Sequence, residues 1–144
     1  MDIECAVALD ALYVNEHAAA RVLRVLPNLR NHVCVAPGIE TFGEELVGTE
    51  VPHLLEHVVI ELQGQAHEGG SFTGHTSWAE ELAQTRAEGV ARMRVTVTFS
   101  NDLVALRACA LACELIEWAL APSTGTTPDS NAYVTELRGI VRAA

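Results

Sequence analysis

The sequence predicts an α+β fold, a single-domain two-layer sandwich in which a small, mostly antiparallel sheet is covered by helices. Three observations carry that expectation. Two segments alternate apolar and polar residues at strand period. Several others open on a helix-capping residue and continue apolar at helical spacing. The chain has 144 residues, enough for one core and short for two. Residues 1–144 are therefore expected to form one domain, with no internal repeat and no low-complexity tract.

In "DIECAVALDALYV" the residues Ile3, Cys5, Val7 and Leu9 fall on one side, as in a half-buried strand. Asn15 then caps a helix over "NEHAAARVLRVL", and Pro27 stops it. Residues 28–46 mix Pro37, Gly38 and Gly43 with short apolar pieces, which predicts a connector holding at most one turn or short strand. Thr49 is the expected cap of the next helix. Pro52 falls in its first turn, where the missing N–H is harmless, and the helix runs to about Gln65, ahead of Gly69-Gly70. "SFTGHTSW" (71–78) predicts a short strand or extended edge, and "AEELAQTRAEGVA" a polar excursion that serves as a lid or as slack. In "RMRVTVTF" Met93, Val95, Val97 and Phe99 alternate with Arg94, Thr96 and Thr98, one face in and one out. Asn101 or Asp102 caps a helix over 103–121. With Arg107, Glu114 and Glu117 as its charges, that helix is expected to be buried nearly all round. "PSTGTTPDS" reads as a loop and "NAYVTELRGIVRA" as a final amphipathic helix.

Nineteen acidic residues against nine basic ones give a formal charge of −10, which opposes phosphate backbones and favours cationic partners. Nucleic acid is not an expected ligand. All nine basic residues are arginine, so Schiff-base and lysine-nucleophile chemistry is excluded. No apolar run is long and uncharged enough to cross a bilayer, and "MDIECAVALD" lacks a signal-peptide pattern, so the expected address is cytoplasmic, with no membrane partner. Cys5, Cys34, Cys109 and Cys113 show no C-x-x-C spacing and read as free, mostly buried thiols, Cys109 and Cys113 as core filler. No phosphate-loop or nucleophile-elbow pattern occurs. A homo-oligomer is compatible with the sequence.

The chemistry concentrates in "HLLEH", residues 53–57. At about 100° per residue, His53, Glu56 and His57 share roughly a third of the helix circumference, while Leu54, Leu55, Val58, Val59 and Leu62 fill the opposite side. Ile60 in the middle of the polar stripe implies that this face is covered as well. Two imidazoles at i and i+4 can hold one zinc, and a glutamate between them can take a proton from water; the spacing is the H-x-x-E-H of inverted zinc peptidases. Such a site needs a third ligand. Glu114 is the preferred candidate and Glu117 the alternative, because a carboxylate on an otherwise apolar helix wants a cation. His75, beside the Gly69-Gly70 turn, is a candidate substrate contact, and His67 lies on the turn's other side. His17 and His32 read as structural or exposed. The competing reading is that the stripe is only the polar edge of a helix, as a motif match awaits its structural context.

The stretch "RVLRVLPNLRNHVCVAPGIETFGEELVGTEVPHLLEHVVIELQ" resembles the amino-terminal domain of cyanophycin synthetase. Leu26, Pro27, Leu29, His32, Cys34, Pro37, Gly38, His53, Glu56, His57, Glu61, Leu62 and Gln63 match that domain's pattern in order, and a looser likeness spans residues 5–121. The full synthetase condenses aspartate and arginine in two further domains, which this sequence does not contain. The resemblance implies the role of the first domain alone: binding the Asp–Arg polymer and, in some members, cutting it at a zinc-peptidase-like site. It implies a second-shell or salt-bridge role for Glu61. Where the family tends to read "GFGRTRET", this sequence reads "SFTGHTSW", with His75 and Ser77 in place of two arginines. The expectation is therefore a stand-alone zinc-dependent hydrolase of peptide or isopeptide bonds. Zinc would sit on His53, His57 and Glu114, Glu56 would be the base, and a peptide or Asp–Arg polymer the substrate. The alternative is a non-catalytic polymer- or protein-binding module of the same fold.

Overall fold

The computed structural model describes residues 1–36, 38–79, 88–122 and 125–144. Strand β1 (Asp2–Ala8) leads into helix α1 (Glu16–Val25), whose Asn15 side chain accepts the backbone N–H of Ala18 at 2.8 Å, as a helix cap should. Pro27 then opens a 3-10 turn, Pro27–Asn31. The connector is more ordered than its composition suggests: it forms a two-stranded hairpin, β2 (Val33–Ala36) and β3 (Ile39–Thr41), followed by the short helix α2 (Phe42–Glu45). Pro37 lies outside the described residues.

Helix α3 (Val51–Ala66) is the long element that follows, with Pro52 in its first turn. Thr49 does not cap it. The N-cap position is Glu50, without a side-chain bond, and the Thr49 hydroxyl is used by His53 instead. Strands β4 (Gly74–Trp78) and β5 (Val90–Val97) come next; residues 80–87 of the polar excursion between them lie outside the described residues. Helix α4 (Asp102–Leu120) is capped by Asn101, which accepts from Val104 N–H at 3.1 Å, and helix α5 (Ser130–Ala143) by Asp129. Residues 123–124 of the loop before α5 are again outside the described residues.

The sheet has the order β1-β5-β4 and is antiparallel throughout. Its register sets Ile3, Cys5 and Val7 opposite Val95, Met93 and Ala91, and Thr76 and Trp78 opposite the same Val95 and Met93. Directly opposed residues share a face, so this is the inner face, against which α3 lies. Helices α1, α4 and α5 pack around α3, whose Leu54, Val58, Val59 and Leu62 are fully buried beside Val95 and Val97 of the sheet and Leu111 and Leu115 of α4. Arg21 of α1 is buried against the end of α4, donating to the carbonyls of Trp118 (2.7 Å) and Ala121 (3.1 Å) with its guanidinium over the Trp118 ring.

Helix α4 departs from the expectation of near-complete burial. It buries Val104, Ala108, Leu111, Ala112, Leu115 and Ala119 along one stripe, while Leu103 and Leu106 are each 60% exposed. Ala110, Cys113, Glu114 and Glu117 share its open face, so Cys113 is not core filler. A sparse charge count does not enclose a helix at the edge of its layer, because much of any protein surface is apolar. No helix among the described residues is long and apolar enough to cross a membrane.

Candidate metal centre

Helix α3 is buried on both sides, and its polar stripe faces the hairpin. His57 and Glu56 are buried and His53 is half-buried. The β2–β3 hairpin and α2 bring His32, Cys34, Phe42 and Glu45 against that stripe. Phe42, fully buried, stacks flat on the His57 ring (centroids 3.8 Å apart, planes at 13°) and meets His53 edge-on at 5.2 Å, so one aromatic side chain fixes both imidazole planes.

The hydrogen-bond chain through the rings is determinate if each carries a single proton. Glu61 can only accept, so His32 Nε2–H donates to its Oε2 at 2.6 Å. His32 Nδ1 is then an acceptor for His57 Nδ1–H, 3.0 Å away. That leaves the His57 Nε2 lone pair pointing at His53 Nε2, 3.2 Å away. At the other end of His53, Nδ1 lies 2.8 Å from Thr49 Oγ1, a hydroxyl able to donate or accept. Burial, with His53 and His32 alongside, lowers the His57 pKa to about 3, so His57 is a neutral imidazole with a lone pair to offer. Glu61 resists its own burial because His32, Gln65 and Asn28 donate to it, and the net shift is downward.

Cys34 completes a set. Its Sγ is 3.6 Å from His53 Nε2 and donates to Glu45 Oε2 at 2.8 Å. Burial and the neighbouring Glu45 push the Cys34 thiol up to about 12. Without a cation it therefore stays protonated, and Glu45 is placed to receive the proton when a cation binds. The donor atoms of Cys34, His53 and His57 all lie within 4.8 Å of one another. A tetrahedral zinc, with bonds of about 2.0–2.1 Å to nitrogen and 2.3 Å to sulfur, separates two nitrogens by about 3.3 Å and nitrogen from sulfur by about 3.6 Å. The His53–His57 and Cys34–His53 separations, 3.2 and 3.6 Å, match those values, and two imidazoles with a thiol suit a borderline-soft cation. The three residues can hold a metal ion.

The sequence-predicted ligands divide. His53 and His57 are brought together. Glu114 is not part of the set: it is exposed on α4, where its charge acts on Tyr133 of α5 and on Arg107, which itself pairs with Glu136 of α5. Arg107, seven residues back on the same face, and solvent relieve the carboxylate that seemed to need a cation. Glu117 is exposed too. Sequence reasoning missed Cys34 and took His32 as structural or exposed, although the two stand one residue apart in "HVC".

These side chains open onto a cavity of about 790 Å³ bounded by His53, Glu56, His57 and Ile60 of α3, by Val33 and Cys34 of β2, and by β4. Glu56 accepts from Thr76 Oγ1 at 2.5 Å. Gly74 lets the strand come that close, since a Cβ there would sit 2.8 Å from Glu56 Cγ and 2.9 Å from the Thr96 carbonyl oxygen. His75 is exposed at the cavity rim, one residue out of phase with Thr76, so its side chain falls on the opposite face of the sheet.

The family model described as the cyanophycin synthase-like N-terminal domain matches residues 15–121. The chain belongs to that family. The part matched by the cyanophycin synthase-like model includes every residue of the centre, from His32 to Glu61, and both strands β4 and β5; β1 and α5 lie outside it. A search of curated proteins found no match.

Proposed function

We propose that this protein is a zinc-dependent hydrolase of peptide or isopeptide bonds, acting on an Asp–Arg polymer of the cyanophycin type. The observation that carries the reading is the convergence of Cys34, His53 and His57 with the buried Glu56 on one open cavity. Membership of the cyanophycin synthase-like family supports the polymer, and the acidic residues Glu45 and Glu50 on the cavity wall suit its arginine side chains.

Cys34, His53 and His57 would hold the metal, which would supply Lewis acidity at the scissile carbonyl. Glu56 acts as the general base: it takes the proton of the attacking water and returns it to the leaving amine. Thr76 keeps that carboxyl turned toward the cavity by donating to one of its oxygens, leaving the other free for the proton. The Glu61–His32–His57 chain and Thr49 hold the two imidazoles with Nε2 facing the donor set, the outer-shell role that orients metal-binding histidines.

The test is turnover of Asp–Arg polymer by zinc-loaded protein, followed by mass spectrometry of the products, for the parent and Glu56→Gln. The variant keeps its zinc and loses about a hundredfold or more in rate. Parental rates in the variant, or no cleavage by the parent, would defeat the hydrolase reading and favour a module that only binds polymer or protein.

A further inference from the structure

We propose that the outer edge of β4 binds the substrate as an added strand, so that the site takes an extended polypeptide backbone, read through its main chain, with cationic side chains. The inference rests on the hydrolase reading above and specifies how that site selects what it cuts.

The hydrogen-bond phase of β4 places its free groups. Thr98 N–H donates to the Thr73 carbonyl (2.9 Å) and Ala79 N–H to that of Arg92 (3.1 Å), so odd-numbered residues of this segment pair with β5. By antiparallel alternation, the N–H and C=O of Gly74 and Thr76 point away from β5. No described group takes them up. Main-chain groups set in this way at Gly74 and Thr76 are a ready template for an incoming strand.

The edge stands at the chemistry. It forms one wall of the cavity whose floor carries His53, Glu56 and His57, and the Thr76 side chain is bonded to Glu56. A strand paired with the Thr76 main chain therefore runs alongside the base. The remaining walls indicate the chemistry of the side chains: among the described residues Glu45 and Glu50 line the cavity and no arginine does, while Val33 of β2 is 79% exposed there. Acidic groups beside an apolar surface suit a long cationic side chain, whose stem lies on the apolar part while its head meets the acids.

The experiment uses zinc-loaded Glu56→Gln protein and three synthetic Asp–Arg octapeptides. One is unmodified, and two are N-methylated on every second backbone nitrogen in opposite phases. Strand addition makes binding phase-dependent: one methylated peptide binds within about twofold of the parent, and the other, stripped of the N–H groups facing β4, binds about tenfold or more weakly. The unmodified peptide also protects the Gly74 and Thr76 amides from hydrogen exchange. Equal binding of both methylated peptides without that protection overturns strand addition and leaves the hydrolase reading standing. Amides already protected in a protein that dimerises through β4 overturn it too, by giving the edge to a second copy. An unmodified peptide that does not bind removes both the Asp–Arg reading and this inference.

Discussion

Gly74→Ala adds one methyl group at the closest approach of β4 to α3, and the structure fixes where it must go. The new Cβ would lie 2.8 Å from Glu56 Cγ, 2.9 Å from the Thr96 carbonyl oxygen and 3.0 Å from Glu56 Oε1. Thr96 belongs to the sheet's paired central segment and its carbonyl cannot yield without moving a strand. Glu56, buried on α3 beside the cavity, yields by giving up the Thr76 hydroxyl. Overpacking of this kind costs about 1–3 kcal/mol. With an unfolding entropy of about 2.1 cal/mol/K per residue, a chain of this size then melts about 3–10 °C lower. The same displacement moves the Glu56 carboxyl, so on the proposed hydrolase reading cleavage of Asp–Arg polymer should fall along with Tm. Thermal melts by circular dichroism and rates on the zinc-loaded protein read both effects. A variant that melts within about a degree of the parent and keeps its rate would refute the close packing of β4 on Glu56.

Three other consequences are open to measurement. Arg21→Met removes two charge-assisted bonds to the Trp118 and Ala121 carbonyls at the end of α4 and should lower stability by about 2–4 kcal/mol in urea unfolding; a loss under about 0.5 kcal/mol would contradict that anchoring role. Glu61→Gln leaves His32 without its carboxylate acceptor and should weaken zinc binding about 10–100-fold in competition with a chelating dye, whereas unchanged affinity would show that the relay does not orient His57. In metal-free protein, the unfolded chain protonates His57 near its ordinary pKa of about 6.5, while the folded chain resists down to about 3. Folded stability therefore falls as pH drops below 6.5, at about 1.4 kcal/mol per unit from this group, and His57→Gln should flatten the slope; an identical slope in the variant would exclude His57 as its source.

The local part of the site was legible in the sequence and the convergent part was not. His53, Glu56 and His57 lie within five residues, so helical spacing alone puts them on one stripe. Asn15 and Asn101 announced their helices by capping chemistry, and the alternation of Met93, Val95 and Val97 announced β5. His32, Cys34, Phe42 and Glu45 reach the stripe only through a hairpin and a one-turn helix that composition read as a connector, and no periodicity encodes that approach. A signal was nonetheless present, because His32 and Cys34 belong to the pattern shared with cyanophycin synthetase. Glu114 misled because a helix with few charges was equated with a buried one. Leu103 of the same helix turns out to face water, and Glu114 itself is exposed, so its carboxylate needs no metal.

The central claim is that Cys34, His53 and His57 form a metal centre. Its most direct test is metal content by plasma mass spectrometry on untagged protein incubated with zinc and desalted, for the parent, Cys34→Ala, His53→Ala and Glu114→Gln. The account predicts about one zinc per chain in the parent and in Glu114→Gln, and little in the other two, as expected for a site with three protein ligands. An empty parent, or zinc kept by Cys34→Ala and lost from Glu114→Gln, would contradict it.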